Sequence, residues 1–281
     1  MKLIRSVALM QRISRKLKAD NQTIGFVPTM GYLHEGHCAL VRKSVKDCDV
    51  TVMSIYVNPL QFGPSEDFTK YPRDLKHDTA LAKKNGVAYL FLPTDSEMYP
   101  VPYRTGVEVE GITRTMCGAS RPGHFKGVAT VVAKLFNIVM PDAAYFGQKD
   151  IQQATVITAM VRDLNIPLKI KVLPIVREPG GLAMSSRNAY LSSERREEAR
   201  IIYRALTLAR TLVRRGEYRS AVLIAEMKRL ISTVKSVTID YIVIVDSRDL
   251  LPKEKIEGTR IIAAAIFIDN VRLIDNIVIR R

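Results

Sequence analysis

The chain has few cysteines, few aromatic residues among its basic runs and no long apolar run, and each shortage excludes a class of protein. Its three cysteines, Cys38, Cys48 and Cys117, are an odd set with no Cys-x-x-Cys pair. Neither a disulfide framework nor a structural zinc site is expected from them, and a reducing cytoplasm is the simplest compartment. No stretch of about 18 apolar residues occurs, so no transmembrane helix or membrane partner is expected. The start, Met1-Lys2-Leu3-Ile4-Arg5, is charged at once and leads into no apolar core with a cleavage site, so no signal peptide is expected. There is no internal repeat and no low-complexity tract.

What is present is a chain of 281 residues, 47% hydrophobic, long enough for one large domain or two moderate ones with a buried core. Net charge is +15, which favours anionic ligands and raises the question of nucleic acid. The excess is spread out: residues 1–176 carry 23 basic and 15 acidic side chains, residues 177–281 carry 20 and 13. Its densest run, Arg195 to Arg219, is interrupted by Glu197, Glu198 and Glu217 and reads as a solvated helix face. With few aromatics between the basic residues, a base-stacking platform is missing, and no nucleic-acid partner is expected.

Short apolar runs alternate with amphipathic stretches through the first part. Strands are predicted at 23–27, 50–57, 87–92, 143–146 and 169–176, with helices at 36–50, 74–84, 126–139 and 150–163. Such alternation predicts a parallel sheet with helices on both faces. The segment Arg177–Arg187, with Pro179, Gly180 and Gly181, breaks the rhythm. Two long helices, 192–215 and 218–234, and three strands, 238–245, 260–268 and 271–279, follow it, the last two joined at Asp269-Asn270. The expected fold is therefore α/β, with a smaller C-terminal α+β domain, divided as 1–177 and 178–281.

Three segments carry chemistry. Pro28–His37 (Pro-Thr-Met-Gly-Tyr-Leu-His-Glu-Gly-His) leaves a strand through a glycine turn and places His34 and His37 on one face of an opening helix. Free N–H groups and the helix dipole favour an anion there, Gly31 and Gly36 allow close approach, and two imidazoles can donate to phosphate charge that grows in a transition state. The spacing is not His-Glu-x-x-His, so no metal site is assigned. Phe146-Gly147-Gln148-Lys149-Asp150 repeats the strand–glycine–helix plan with a cation. Lys149 can meet phosphate, and Asp150 can cap the helix or reach a ribose hydroxyl or magnesium. Met184-Ser185-Ser186-Arg187 offers two hydroxyls and a guanidinium that can wrap phosphates, or an ordinary serine turn.

These strings, with Ser54–Gly63, Arg121–Phe125, Tyr145–Gln153 and Ala183–Tyr190, stand in the order seen in the pantothenate synthetase family, and the chain resembles that family over nearly its whole length. The resemblance implies a Rossmann-like sheet of the nucleotidyltransferase type, a C-terminal lid domain and a homodimer. It implies an ATP-dependent ligase that joins (R)-pantoate to β-alanine through pantoyl adenylate, releasing AMP and pyrophosphate. By position, His34, His37 and Lys149 become catalytic. Met30, Gly31, Tyr32, Leu33, His34, Glu35, Gly36, His37, Gly147, Gln148, Lys149, Asp150, Val176, Met184, Ser185, Ser186 and Arg187 become ATP contacts. Gln61 and Gln153 become pantoate contacts, and Gln61 also borders the β-alanine site; by type and place alone Gln153 reads as surface polar. Asn58, Tyr71 and His124 are near-site candidates. ATP is expected as a substrate with Mg2+, the metal having no dedicated protein cage. One departure is Gly180, where the family commonly has Asp, and a looser turn is expected there. Another nucleotidyltransferase, such as a cytidylyltransferase or an aminoacyl-tRNA synthetase, is disfavoured by Gln61 and Gln153 and by the lack of a tRNA-binding extension.

Overall fold

The computed structural model describes residues 1–64 and 66–281. Strand β1 (Lys2–Ile4) and helix α1 (Val7–Ala19) lead into β2 (Ile24–Thr29), α2 (Glu35–Asp47), β3 (Val50–Ile55), α3 (Leu75–Lys84) and β4 (Tyr89–Phe91). Two single-turn helices, α4 (Asp95–Met98) and α5 (Cys117–Ser120), and the long α6 (His124–Val139) precede β5 (Ala143–Gly147), α7 (Ile151–Asp163) and β6 (Lys169–Leu173). The six strands are parallel in the order β1-β4-β3-β2-β5-β6.

Why this sheet takes helices on both faces is visible residue by residue. Successive strand residues point to opposite sides. Phe26, Val52 and Ala144 join α1, α6 and α7 in one core, while their neighbours Val27, Met53 and Tyr145 join α2 and α3 in another. Strand β3 lies between β2 and β4 and is no edge. From β2 the chain winds outward through β3 and β4, then returns to β5 on the other side of β2. The sheet reverses its winding between β2 and β5, and clefts for ligands form outside the carboxyl ends of strands at such a point. Both glycine turns of the sequence leave those two strands.

The second, smaller domain holds α8 (Ser193–Ala199), α9 (Ile201–Arg214), α10 (Ser220–Ile231) and the antiparallel strands β7 (Val237–Asp246), β8 (Thr259–Ile268) and β9 (Val271–Arg280), in the order β7-β8-β9. One face of that sheet packs on α9 and α10 through Ile244, Ile262, Ile266 and Leu206. The other face meets the first domain, where Val245, Ile261 and Ala263 pack on Met116 and Ile151. Asp269-Asn270 is the expected tight turn, with Asp269 at φ +50°.

Several expectations need correction. Pro28 lies inside β2 rather than ending it, because strand pairing continues to Thr29–Ile55. Strand β6 stops at Leu173, so Val176 stands in the following loop. The single helix expected over 192–215 is two, broken at Arg200. Helix α1 is an addition to the expected elements: its buried Met10, Ser14 and Leu17 recur at helical spacing, but interspersed basic residues dilute the pattern. The turn at Gly180 is not loose. Glu178, Gly181 and Leu182 close it with backbone bonds, and Arg177 Nη1 donates to the Gly181 carbonyl at 2.9 Å.

Candidate active site

Helix α2 opens with an unusual cap. His34 is the N-cap residue, and its Nδ1 accepts from the Gly36 amide at 3.1 Å; His37 Nδ1 accepts from the His34 amide at 3.3 Å. The imidazoles do reciprocally what Ser and Glu do in a capping box. A side chain at position 36 is excluded, because a Cβ there would lie 2.8 Å from the His34 ring. The rings stack with centroids 4.1 Å apart.

This geometry sets the protonation state. Each Nδ1 is an acceptor, so it carries no proton, and the proton of a neutral ring sits on Nε2. Burial first, then the nearby Lys149 ammonium, holds His34 down to about 4. Burial, the neighbouring His34 ring and Lys149 hold His37 well below its usual range. At neutral pH the pair presents uncharged Nε2–H donors beside a cation. The approach to this cap is held by Asp78, whose buried carboxylate accepts from the amides of Tyr32 (2.8 Å) and Leu33 (2.7 Å).

The second turn is built differently. Asp150 precedes α7 but makes no capping bond; its carboxylate lies 3.6 Å from Lys149 Nζ. The turn is held from the other domain. Asn276 of β9 donates through Nδ2 to the carbonyls of Gln148 (2.9 Å) and Lys149 (3.1 Å), and Gln148 Nε2 donates back to Asn276 Oδ1. The adjacent Asp275, itself buried, takes Arg177 bidentately at 2.6 and 2.9 Å and so ties down the boundary hairpin. Burial raises the pKa of Asp275 despite this partner.

A cavity of about 210 Å3 lies at the reversal point of the sheet, and its walls include Met30, His34, Gly36, His37, Gln61, Gly147, Lys149, Asp150, Gln153, Val176, Met184, Ser185, Ser186 and Arg187. A larger one, about 620 Å3, adjoins it under β8 and β9 and shares Lys149, Asp150, Gln153, Ser185 and Arg187. The motif-bearing cavity is the smaller of the two, and the shared walls make them one cleft. Gly31, Tyr32, Leu33, Glu35 and Gln148 border neither. Leu33 is buried, Glu35 pairs with Arg42, and Gln148 is bound to Asn276.

Gln61 reaches the cavity because α6 lets it. The 3-10 turn Pro59–Gln61 lies so close to Gly127 that a Cβ there would stand 2.1 Å from the Leu60 carbonyl. Asn58 Nδ2 donates to the Gly127 carbonyl and to Gln61 Oε1, both at 3.1 Å. Tyr99 in turn donates to Asn58 Oδ1 at 2.7 Å. With its oxygen satisfied, Gln61 keeps Nε2 for the cavity, where Met30 Sδ is a weak partner at 3.1 Å. Gln153 is not the surface residue its position suggests: it lines both cavities, while its neighbour Gln152 spends its amide on Cys117, Ile112 and Thr115. Among the near-site candidates, Asn58 and Tyr71 line the smaller cavity and His124 the larger.

Sequence reading missed Asp78, Tyr99, Asp275 and Asn276. The last two left a signal: a polar pair between the apolar runs Leu273-Ile274 and Ile277–Ile279 of β9. Among the described residues, no group of three or more His, Cys, Asp or Glu is arranged to hold a metal ion, and no helix is long and apolar enough to cross a membrane.

The fold and cleft define an α/β protein whose ligand cleft opens beside the start of a helix. Residues 2–278 match the family model described as pantoate-beta-alanine ligase. The chain is 57% identical over 270 residues to the pantothenate synthetase of Caldicellulosiruptor saccharolyticus, covering 96% of each, and 52% identical to that of Moorella thermoacetica, covering 99% of each. The crystal structure of pantothenate synthetase from Thermus thermophilus superposes with a TM-score of 0.94 at 44% identity, over 99% of both chains. The ligase of Francisella tularensis, solved with β,γ-ATP and β-alanine, superposes with a TM-score of 0.80 at 34% identity, over 99% of this chain and 97% of that one. This chain belongs to the pantoate–β-alanine ligase family, and it is a ligase that forms a carbon–nitrogen bond.

Proposed function

We propose that the chain activates (R)-pantoate with ATP and passes the acyl group to β-alanine. In the first step a pantoate carboxylate oxygen attacks the α-phosphorus, the bond from that phosphorus to the bridging oxygen breaks, and pyrophosphate leaves. In the second, the β-alanine amine attacks the acyl carbon of pantoyl adenylate, AMP leaves, and the amine loses its proton. A carboxylate is already a nucleophile, so the residues act by positioning and by meeting charge.

The observation that carries this reading is the neutral imidazole pair. With both Nδ1 atoms engaged by backbone amides, His34 and His37 offer Nε2–H donors to phosphate oxygens and retain their protons at neutral pH. His37 therefore acts as a hydrogen-bond donor rather than by giving up a proton. Lys149 supplies the positive charge, and Gly147, Val176, Met184, Ser185 and Ser186 supply the walls. Gln61 offers Nε2–H to an acceptor oxygen of the acid, and Gln153 faces it from α7. Mg2+ fits as an ion carried chiefly by the phosphates, since Asp150 offers one half-exposed carboxylate. When bound it would neutralise phosphate charge.

Residues 1–177 form the catalytic domain in this reading and residues 178–281 the lid, a division supported by their separate cores. A cytoplasmic homodimer is the assembly expected from the family.

The test is ATP–pyrophosphate exchange with and without pantoate. Exchange that requires pantoate supports the reading. Exchange indifferent to pantoate, in folded protein, overturns it.

A further inference from the structure

Of the three arginines that line the cleft, Arg272 is paired with Asp240 of β7, and the other two hold acids that are neighbours in sequence. Arg187 is gripped by Asp67, with Nε at 3.0 Å and Nη2 at 2.8 Å. Arg121 is gripped by Glu66, with Nε to Oε1 at 2.9 Å and a second bond from Nη2 to Oε2. Both acids lie between the 3-10 turn and α3, and neither is in a helix or strand. Arg187 belongs to the phosphate-wrapping loop. Arg121 has so far been given no part.

The remaining bonds of Arg121 point to one. Its Nη2 donates to the Gln61 carbonyl at 3.3 Å, and its Nη1 donates to His124 Nε2 at 3.0 Å. His124 Nδ1–H donates to that same carbonyl at 2.8 Å. The imidazole must then be neutral, in agreement with burial and the Arg121 charge holding it down to about 4. The guanidinium is thus locked to the main chain of the residue whose side-chain amide faces the acid. It lines the larger cavity together with Glu66. Among the described residues, the Glu66 carboxylate bonds to no side chain but Arg121.

We propose that Arg121 anchors the carboxylate of the amine substrate, and that Glu66 occupies this anchor while the site is empty. The proposal rests on the reading that β-alanine is the second substrate. A β-amino acid carries its carboxylate two carbons from the nucleophilic nitrogen. With the acyl carbon held beside the Gln61 amide, a fork fastened to the Gln61 main chain is placed to take that carboxylate. Arg–carboxylate recognition is bidentate, and Glu66 already displays that geometry. Binding then exchanges one carboxylate for another, so the partly buried guanidinium is never left unpaired. Glu66 sits on a segment without helix or strand, so it can swing away at little cost.

The experiment compares Arg121→Ala, Arg121→Lys and Glu66→Gln in two assays: pantoate-dependent ATP–pyrophosphate exchange, which needs no amine, and pantothenate formation at varied β-alanine. Losing a charged hydrogen-bonded anchor costs on the order of 10- to 100-fold in binding. Arg121→Ala is expected to raise KM for β-alanine at least about 10-fold more than it changes exchange, and Arg121→Lys to restore part of that loss. Glu66→Gln, which removes the competing charge, is expected to lower KM for β-alanine severalfold. Equal losses in both assays for Arg121→Ala would overturn the proposal, since Arg121 would then serve the fold or the phosphates. A rise in KM for Glu66→Gln would overturn it too, because Glu66 would be part of the substrate site. Failure of the underlying reading shows separately, as wild-type exchange that ignores pantoate.

Discussion

The two glycine turns that flank the reversal point of the sheet look alike in sequence and are held in opposite ways. The turn after β2 is held mainly by its own histidines and by the first domain: His34 Nδ1 takes the Gly36 amide, His37 Nδ1 takes the His34 amide, and Asp78 of the neighbouring helix holds the two amides before them, while Ser186 from beyond the boundary adds one bond to the Tyr32 carbonyl at 3.2 Å. The turn after β5 has no capping side chain of its own and is fixed by Asn276 from the C-terminal domain. One wall of the cleft is therefore held chiefly within the first domain, and the other is held by side-chain bonds from the second. A cleft built this way can couple what binds in it to the contact between the two domains.

The largest break in this comparison is His37→Ala. It removes both a donor to the phosphates and half of the reciprocal cap, and pantoate-dependent exchange should fall by about 100- to 1000-fold. Near-normal exchange would reduce His37 to a structural cap. Next comes Asp78→Ala, which strips two buried amides of their acceptor. It should cost roughly 2–3 kcal/mol in urea denaturation and lower kcat about 10-fold, because the histidine turn relaxes. A smaller effect is expected from Asn276→Ala. Here the Lys149 turn loosens while the histidine turn stays, so KM for ATP should rise about 10-fold with kcat for exchange less affected. If Asn276→Ala and Asp78→Ala gave the same pattern, the contrast between the turns would fail.

A further effect is one of pH. His34 and His124 lie near 4 in the folded chain against an ordinary 6.5. Between those values the unfolded chain binds protons that the folded chain refuses, so stability should fall as pH drops from about 6.5 towards 4 and level off below. Activity should show no limb at about 6.5 and should decline only as pH approaches about 4. A rate that halves near the ordinary histidine value would mean an exposed, unperturbed ring.

How much of this was legible in the sequence follows the same division. The plan of the local turn was visible, since its glycines and both histidines lie within Pro28–His37 behind a predicted strand, although that strand runs on through Pro28 to Thr29. The role of each ring nitrogen was not, because it depends on which amide each Nδ1 meets. Lys149 was legible beside its glycine, but Asn276 stands 127 residues away from it. Gln153 reads as surface in the sequence because helical position alone cannot say which face a second domain will cover. Asp78 reads only as one more acid at the start of a helix capped by Asp74. Sequence patterns report neighbours along the chain, and the missing pieces are neighbours across it.

The central claim is that His34 and His37 work as neutral Nε2–H donors. Nitrogen-15 NMR of the imidazoles tests it most directly. The expected spectrum at neutral pH shows both rings with bare Nδ1 and protonated Nε2, a state that persists as the pH is lowered well past about 6.5. Doubly protonated rings at neutral pH, or a proton on Nδ1, would contradict the account.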